Sequence, residues 1–381
     1  MKRHKKLIIC ALAAALFLSG CWDMVEIDRR LFVGLIGVDL CDKPNLFTFH
    51  FSIPIAREIT GGESGGGGGG GESVGLLTTE AYSLIDAARN LSLRVNRDIY
   101  FEHLRMVVIG EDVAREHLQD ILNPLMRQTE FNRRCRIAIS EGSAEKVMKV
   151  TPWVERLKAE YMETLYSSKK MSGKFVGMEM GDFFRNLYAN NGSTLISKIT
   201  PNGTEVNIGG SGVIKNFKFV GWLNEEETQG VNFFLGKVSG GDIVVKDIEG
   251  EGTETFTMLG QKRRLSLKSA GPVPEFSLQV YVHGNIASTP HRITYHEAKL
   301  ESKDIERLEE LVSKEIESQI LKGVKKLQDD YKVDLLNLGD YLRKYKPALW
   351  KMYEADWEDI FPNVKIDINV KTTVKNIGAM L

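Results

Sequence analysis

The residue pattern predicts an α+β multidomain chain, with a mixed α/β first part, a β-rich stretch, and a last part built on one long helix and strands. Three observations carry this. Strand-like apolar runs alternate with helix-spaced ones up to about residue 195. From Ser193 to Ile286 helical spacing gives way to short β-rich runs, punctuated by Asn202-Gly203, Gly209-Gly210, Gly240-Gly241 and Glu251-Gly252. Apolar residues then return to helical spacing from Asp304 to Tyr331, before Val364–Val374 alternates strictly. A length of 381 residues fits two or three domains. The expected organisation is a leader at 1–20, an N-terminal α/β domain at 21–195 containing a Gly-rich loop at 61–75, and a C-terminal α+β domain at 205–381. The last divides into a β-rich part at 205–290 and a long helix plus terminal strand at 296–381.

The leader is read from Lys2, Arg3, Lys5 and Lys6, the apolar run Leu7–Leu18, and the sequence Leu18-Ser19-Gly20-Cys21. The run is short of the roughly 20 residues that span a bilayer. Basic residues, a short apolar core and small residues before a cut site make a signal peptide. A Cys immediately after Leu-Ser-Gly makes it a lipobox, with Cys21 as the lipidated first residue of the mature chain. Each buried CH₂ of an acyl chain contributes about 0.8 kcal/mol, so two chains on one Cys anchor stably. The alternative is an ordinary signal peptide with a chance Cys.

The elements follow in order. Leu31–Asp39 reads as a buried strand, and Asn45–Ile55 as a half-buried one with Phe47, Phe49, Phe51 and Ile53 on one face; together they suggest a hairpin. The Gly-rich segment lacks the fixed glycine spacing and the Lys-Ser or Lys-Thr of a phosphate loop, and reads as a flexible connection. Thr79 is expected to cap a helix running to Val95, with Leu84, Ala88, Leu91 and Val95 in register. Strands are expected at Ile99–Gly110 and Arg134–Ser140. Helices are expected at Glu111–Gln128, Ala144–Val150, Pro152–Ser168 and Met178–Asn190. In the long helix, Ile305, Leu308, Val312, Ile316, Ile320, Val324, Leu327 and Tyr331 form one face. Their spacing loses heptad register, which favours a helix lying across a sheet over a coiled coil. Glu310 and Lys314 are placed to pair, and Leu338–Tyr345 is a shorter helix.

Net charge is -1, and loss of residues 1–20 removes four cations to leave -5. That argues against a nucleic-acid binder and against a polybasic membrane grip beyond the lipid. Of four cysteines, Cys10 leaves with the leader and Cys21 takes the lipid. Cys41 and Cys135 sit in apolar, strand-like sequence and read as buried free thiols, a disulfide between them being the alternative. No metal-ligand spacing, nucleophile elbow or nominated carboxylate pair appears, so no catalytic, cofactor or metal residue is assigned. His103, in a predicted strand, reads as a structural histidine, and His283, His291 and His296 fit no ligand pattern. Glu225-Glu226-Glu227 reads as a solvated turn. Trp22, Trp153, Trp222, Trp350 and Trp357 read as core or domain-contact residues.

Gly20-Cys21-Trp22-Asp23, followed by Glu26-Ile27, resembles the start of the C-subunit lipoproteins of bacterial spore germinant receptors, the Ger(x)C family. The resemblance continues through the Gly-rich break and the helix after it, and through His103 with Val107-Val108-Ile109-Gly110-Glu111. It runs on through Gly212–Lys215, Val220–Leu223, Glu227–Gly230 and Leu235-Gly236, then Gln328, Asp334, Leu338-Gly339, Trp350, Phe361 and Ile377-Gly378. It implies a non-enzymatic, multidomain α+β lipoprotein on the outer face of the spore inner membrane. It also implies assembly with two integral membrane subunits, one transporter-like, that hold the small-molecule germinant site. A solute-binding lipoprotein serving a transporter is the competing reading, which two repeated lobes would favour; no repeat is visible. A secreted hydrolase ranks third.

Overall fold

The computed structural model describes residues 29–54, 74–168, 172–246, 252–288 and 302–376. Cys21, Trp22, most of the Gly-rich segment, His291, His296 and Ile377-Gly378 lie outside the described residues. The architecture is a nine-stranded mixed sheet with apolar cores on both faces, followed by a four-stranded sheet covered by a long helix.

The first strand expected from sequence is two. β1 (Arg30–Phe32) and β2 (Leu35–Leu40) separate at Val33-Gly34, where Gly34 N donates to Ser52 O. β2 forms the expected hairpin with β3 (Phe47–Pro54), and β3 pairs antiparallel with β4 (Val74–Ala81). The Gly-rich segment therefore joins two neighbouring strands. The helix expected from Thr79 starts later: residues 74–81 are strand, and α1 (Leu84–Ser92) is capped by the Ser83 hydroxyl on Asp86 N at 3.2 Å. Thr78 and Thr79 are β-branched and find a ladder on β3, which overrides their capping potential.

The expected strand 99–110 also divides. β5 (Asp98–Tyr100) pairs in parallel with β1, and β6 (Met106–Gly110) enters the large sheet. His103 thus lies in a turn rather than a strand. The expected helix 111–128 breaks at His117 into α2 (Glu111–Glu116) and α3 (Leu118–Arg127). β7 (Arg136–Ser140), α4 (Ala144–Lys149), α5 (Lys158–Ser168) and α6 (Met180–Ala189) follow the expected order.

β8 (Thr194–Asn202) runs parallel to β7, and β6 lies parallel to both β7 and β2. β9 (Glu205–Asn207), β10 (Ser211–Lys215) and β11 (Lys218–Leu223) extend the same sheet, so its hydrogen bonding continues past the compositional change at 193–205. Alternation along β6 divides the interior. Val107 and Ile109 join the larger core, while Met106 and Val108 join a second one with Val147, Met148, Met162 and Tyr166. Burial on both faces is why these strands read as continuous apolar runs.

Three helices were unexpected: Pro347–Tyr353, Trp357–Ile360 and one in the middle of the chain. α7 (Glu225–Leu235) stands where Glu225-Glu226-Glu227 read as a solvated turn. Asn224 Oδ1 accepts from Glu227 N and Glu227 Oε2 accepts from Asn224 N, both at 2.8 Å, a reciprocal cap. After it come β12 (Gly241–Lys246), β13 (Thr253–Ser269), β14 (Glu275–Ser288), α8 (Ser302–Lys325), α9 (Leu338–Tyr345), α10 (Pro347–Tyr353), α11 (Trp357–Ile360) and β15 (Lys365–Asn376). The second sheet has the order β12-β13-β14-β15, with only the last pair parallel.

α8 lies along this sheet as its apolar face requires. Leu308, Val312, Ile316, Ile320 and Val324 are buried against residues such as Phe276, Leu278 and Val280, and Glu310 and Lys314 pair on the outer side at 2.6 Å. α8 also caps the sheet edge. Glu309, Ser313 and Glu317 accept from the N–H groups of Val374, Thr372 and Val370, at 2.8, 3.0 and 2.9 Å. Four helical residues rise about 6 Å and two strand residues about 6.6 Å, so the two repeats stay in step.

Candidate functional site

The residue expected from sequence to carry a lipid, Cys21, lies outside the described residues, but the segment where the chain after it enters the fold is described. Eight residues, Trp22 to Arg29, separate Cys21 from β1. There Arg30 stacks its guanidinium over Tyr100, 4.4 Å from the ring centre, and Phe32 meets His103 edge-on at 4.7 Å. His103 is a ring support for Phe32 at the start of the described chain. Cys41 and Cys135 are both free, Cys41 half-buried and Cys135 buried. Burial pushes the Cys135 thiol up to about 12, which makes it inert. Of the tryptophans, Trp153 departs from expectation: it is 78% exposed, with Nε1 3.3 Å from Glu205 Oε1.

A second polar group was not foreseen. Asp39, at the end of β2, accepts from Ala144 N and Glu145 N at 2.7 Å each and from Ser143 Oγ at 3.1 Å. His50 Nε2 lies 3.2 Å from its carboxylate, and His50 Nδ1 lies 3.1 Å from Thr78 Oγ1. Burial acts to raise the Asp39 carboxyl. It is outweighed by the hydrogen bonds from His50 and the two amides, which hold it below the ordinary 3.8. Gly110, which lacks a side chain, leaves the space this carboxylate occupies. The cluster ties β2, β3, β4 and the N-terminus of α4 together. The only sequence signal was an acid closing an apolar run.

The third group is the joint between the sheets, which gathers the segments of the resemblance between Gly212 and Gly230. Tyr331 Oη donates to Trp222 O at 2.8 Å, and Lys215 Nζ donates to Lys332 O at 3.0 Å. The Ser211 and Thr228 hydroxyls lie 2.9 Å apart. Gln229 donates to Ser172 O at 2.7 Å, and Asn232 donates to Gly173 O and Phe175 O at 2.8 and 3.2 Å. α7 crosses α8 at Gly230 and Gly323. A Cβ on Gly230 would strike the Gln319 carbonyl, and one on Gly323 the Glu227 carbonyl. The backbones approach this closely because both positions lack side chains.

Beyond α8 the helix loosens into a π-helical turn, Lys326–Tyr331, which ends at Lys332 in the left-handed region (φ 50°). Within this turn Gln328 donates to Phe361 O and Val364 O at 3.0 and 2.8 Å. Asp334 accepts from Leu336 N, Leu338 N and Gly339 N at 3.1, 3.2 and 2.8 Å, and from Trp357 Nε1 at 3.1 Å. Burial raises its carboxyl above the ordinary value despite these donors. Trp350 and Trp357 pack edge to face at 5.6 Å beside Gly339. The arrangement is a rigid polar knot at the start of α9. Among the described residues no group of three or more His, Cys, Asp or Glu side chains could hold a metal ion, and no helix is long and apolar enough to cross a membrane.

Two family profiles match successive parts of the sequence. One, described as the spore germination protein N-terminal domain, covers residues 23–201. The other, described as spore germination B3/GerAC like, C-terminal, covers residues 209–378. The chain belongs to the GerAC/B3-like spore germination family. Among its relatives in Bacillus subtilis (strain 168), spore germination protein KC is 24% identical, over 99% of this chain and 97% of its own length. Spore germination protein B3 is also 24% identical, over 96% of each. The crystal structure of the GerBC protein shares the fold, with a TM-score of 0.61 at 19% identity over 89% of this chain and 97% of that one. The two profiles divide between residues 201 and 209, while the first sheet runs on to Leu223. The germination family therefore places part of its second profile, β10 and β11, on the sheet of its first.

Proposed function

We propose that this chain is a lipid-anchored, non-catalytic subunit of a nutrient germinant receptor, held on the outer face of the spore inner membrane through acyl chains on Cys21. The observation that carries the proposal is the match of residues 23–201 and 209–378 to the spore germination family, together with Leu18-Ser19-Gly20-Cys21-Trp22-Asp23. Integral membrane subunits are its partners and hold the germinant. Its two sheets differ in size and strand order, which favours this reading over a solute-binding lipoprotein with paired lobes. The joint suits a subunit that transmits rather than catalyses. Coupling requires this body to bind one state of its partners more tightly than another. The tether keeps it at high local concentration beside them.

Cys21→Ala tests the anchor. The variant is expected to fold, to leave the membrane fraction of spores, and to cut the rate of nutrient-triggered germination while germination by non-nutrient routes is unchanged. Retention in the membrane fraction with normal nutrient germination contradicts the proposal.

A further inference from the structure

We propose that the end of the fold from which the tether leaves is a docking face for an anionic phospholipid bilayer, the same bilayer that receives the acyl chains on Cys21. The inference rests on the reading of Cys21 as the anchor and adds a surface to it. β1 and β5 run parallel with Arg30 opposite Asp98, so the residues before each strand leave this small sheet at the same end. One is the tether. The other is the turn 93–97, which carries Leu93, Arg94 and Arg97.

The composition of this end is unlike that of the whole chain. Arg29, Arg94 and Arg97 are exposed, and Arg30 is partly so. Asp98 follows Arg97 directly and stands opposite Arg30 in the ladder, the nearest carboxylate in sequence to the turn. Arg94 uses one nitrogen on Thr78 O at 2.7 Å, and Arg97 makes no hydrogen bond or ion pair with another described residue. Leu93 is 87% exposed, more than any other large apolar side chain among the described residues. A cluster of arginines around a protruding leucine matches a surface of phosphate headgroups over acyl chains.

The tether limits where the bilayer can be. Even fully extended, the stretch from Cys21 to Arg30 reaches only about 30 Å. A lipidated Cys21 therefore holds this end of the body, and no distant face, next to the membrane. The net charge of -5 on the mature chain argued against a polybasic grip, but a whole-chain charge averages over local patches such as this one. The tether's own Asp23, Glu26 and Asp28 are the rival partners for these arginines.

The test uses the chain from residue 21 onward, which contains every described residue, with Cys21→Ser so that no acyl chain contributes. Sedimentation is measured with vesicles of pure phosphatidylcholine and with vesicles of equal parts phosphatidylcholine and phosphatidylglycerol. The protein is expected to bind the anionic vesicles only, and to be released by salt. Arg97→Gln is expected to weaken binding about fivefold and Arg94→Gln/Arg97→Gln about twenty-fivefold. Lys351→Gln, on α10, is expected to change nothing, and melting curves should show all variants folded. Equal binding to both vesicle types, wild-type binding by the arginine variants, or an equal loss with Lys351→Gln overturns the proposal. Unchanged binding with a lowered melting temperature in the arginine variants assigns the arginines to the tether's carboxylates, and also overturns it. The assay contains no lipidated protein, so a negative result removes the docking face and leaves the anchoring reading to the Cys21→Ala test.

Discussion

Asp39 shows how one side chain can organise a part of the fold that sequence does not advertise. Its carboxylate is held down first by His50, across the β2–β3 hairpin, and then by amides 105 and 106 residues away in the chain, which no local pattern announces. Because its folded-state value lies below the unfolded one, the folded protein binds fewer protons through this group. The stabilisation is complete above the unfolded value near 4 and is lost as pH falls through the folded value. Asp39→Asn is expected to cost about 1–3 kcal/mol at neutral pH, since donors on α4 lose a charged acceptor. It should also flatten the fall of stability with pH below about 4. Urea unfolding followed at several pH values checks both; an unchanged slope in acid would remove Asp39 from the account of acid stability. Cys21 is the opposite case. The role proposed for it rests entirely on five or six neighbouring letters and draws nothing from the fold.

Elements differ in the same way. α8 was legible because its apolar residues form a single stripe at helical spacing, and the hairpin of β2 and β3 was legible from alternation. α7 was not legible, because its residues from Thr228 to Phe234 are all buried. A helix buried all round has no stripe, and its Thr228, Gln229 and Asn232 look polar only until their partners are known. The strand at 74–81 was missed because its ladder partner, β3, lies beyond the Gly-rich segment. The α7–α8 crossing supplies the sharpest test at this scale. Gly230→Ala is expected to destabilise the protein by about 3 kcal/mol or more, because a backbone carbonyl on a packed helix must move. A melting temperature within error of wild type would mean the two helices can separate freely, and the joint would not be rigid.

At the scale of the whole molecule, a nine-stranded sheet and a four-stranded sheet share one continuous apolar core through α7, α8 and the π-helical turn. The residues that signalled the family lie chiefly at that joint and at the knot around Asp334. That part of the resemblance was reading the packing that fixes one sheet against the other, while Gly20–Asp23 lies outside the described residues. A receptor subunit that passes a state from one end to the other needs such a joint, and a tether that holds one end at the membrane. The claim that this body works as part of a membrane complex is tested most directly by recovering the complex. An affinity tag is placed on the full chain, spore membranes are dissolved in mild detergent, and the captured proteins are quantified by mass spectrometry. Two multi-spanning membrane proteins, one of them transporter-like, are expected in constant ratio to this chain from wild-type spores and to be lost with Cys21→Ala. Recovery of the chain alone from wild-type membranes, in a detergent that preserves other membrane complexes, would contradict the account.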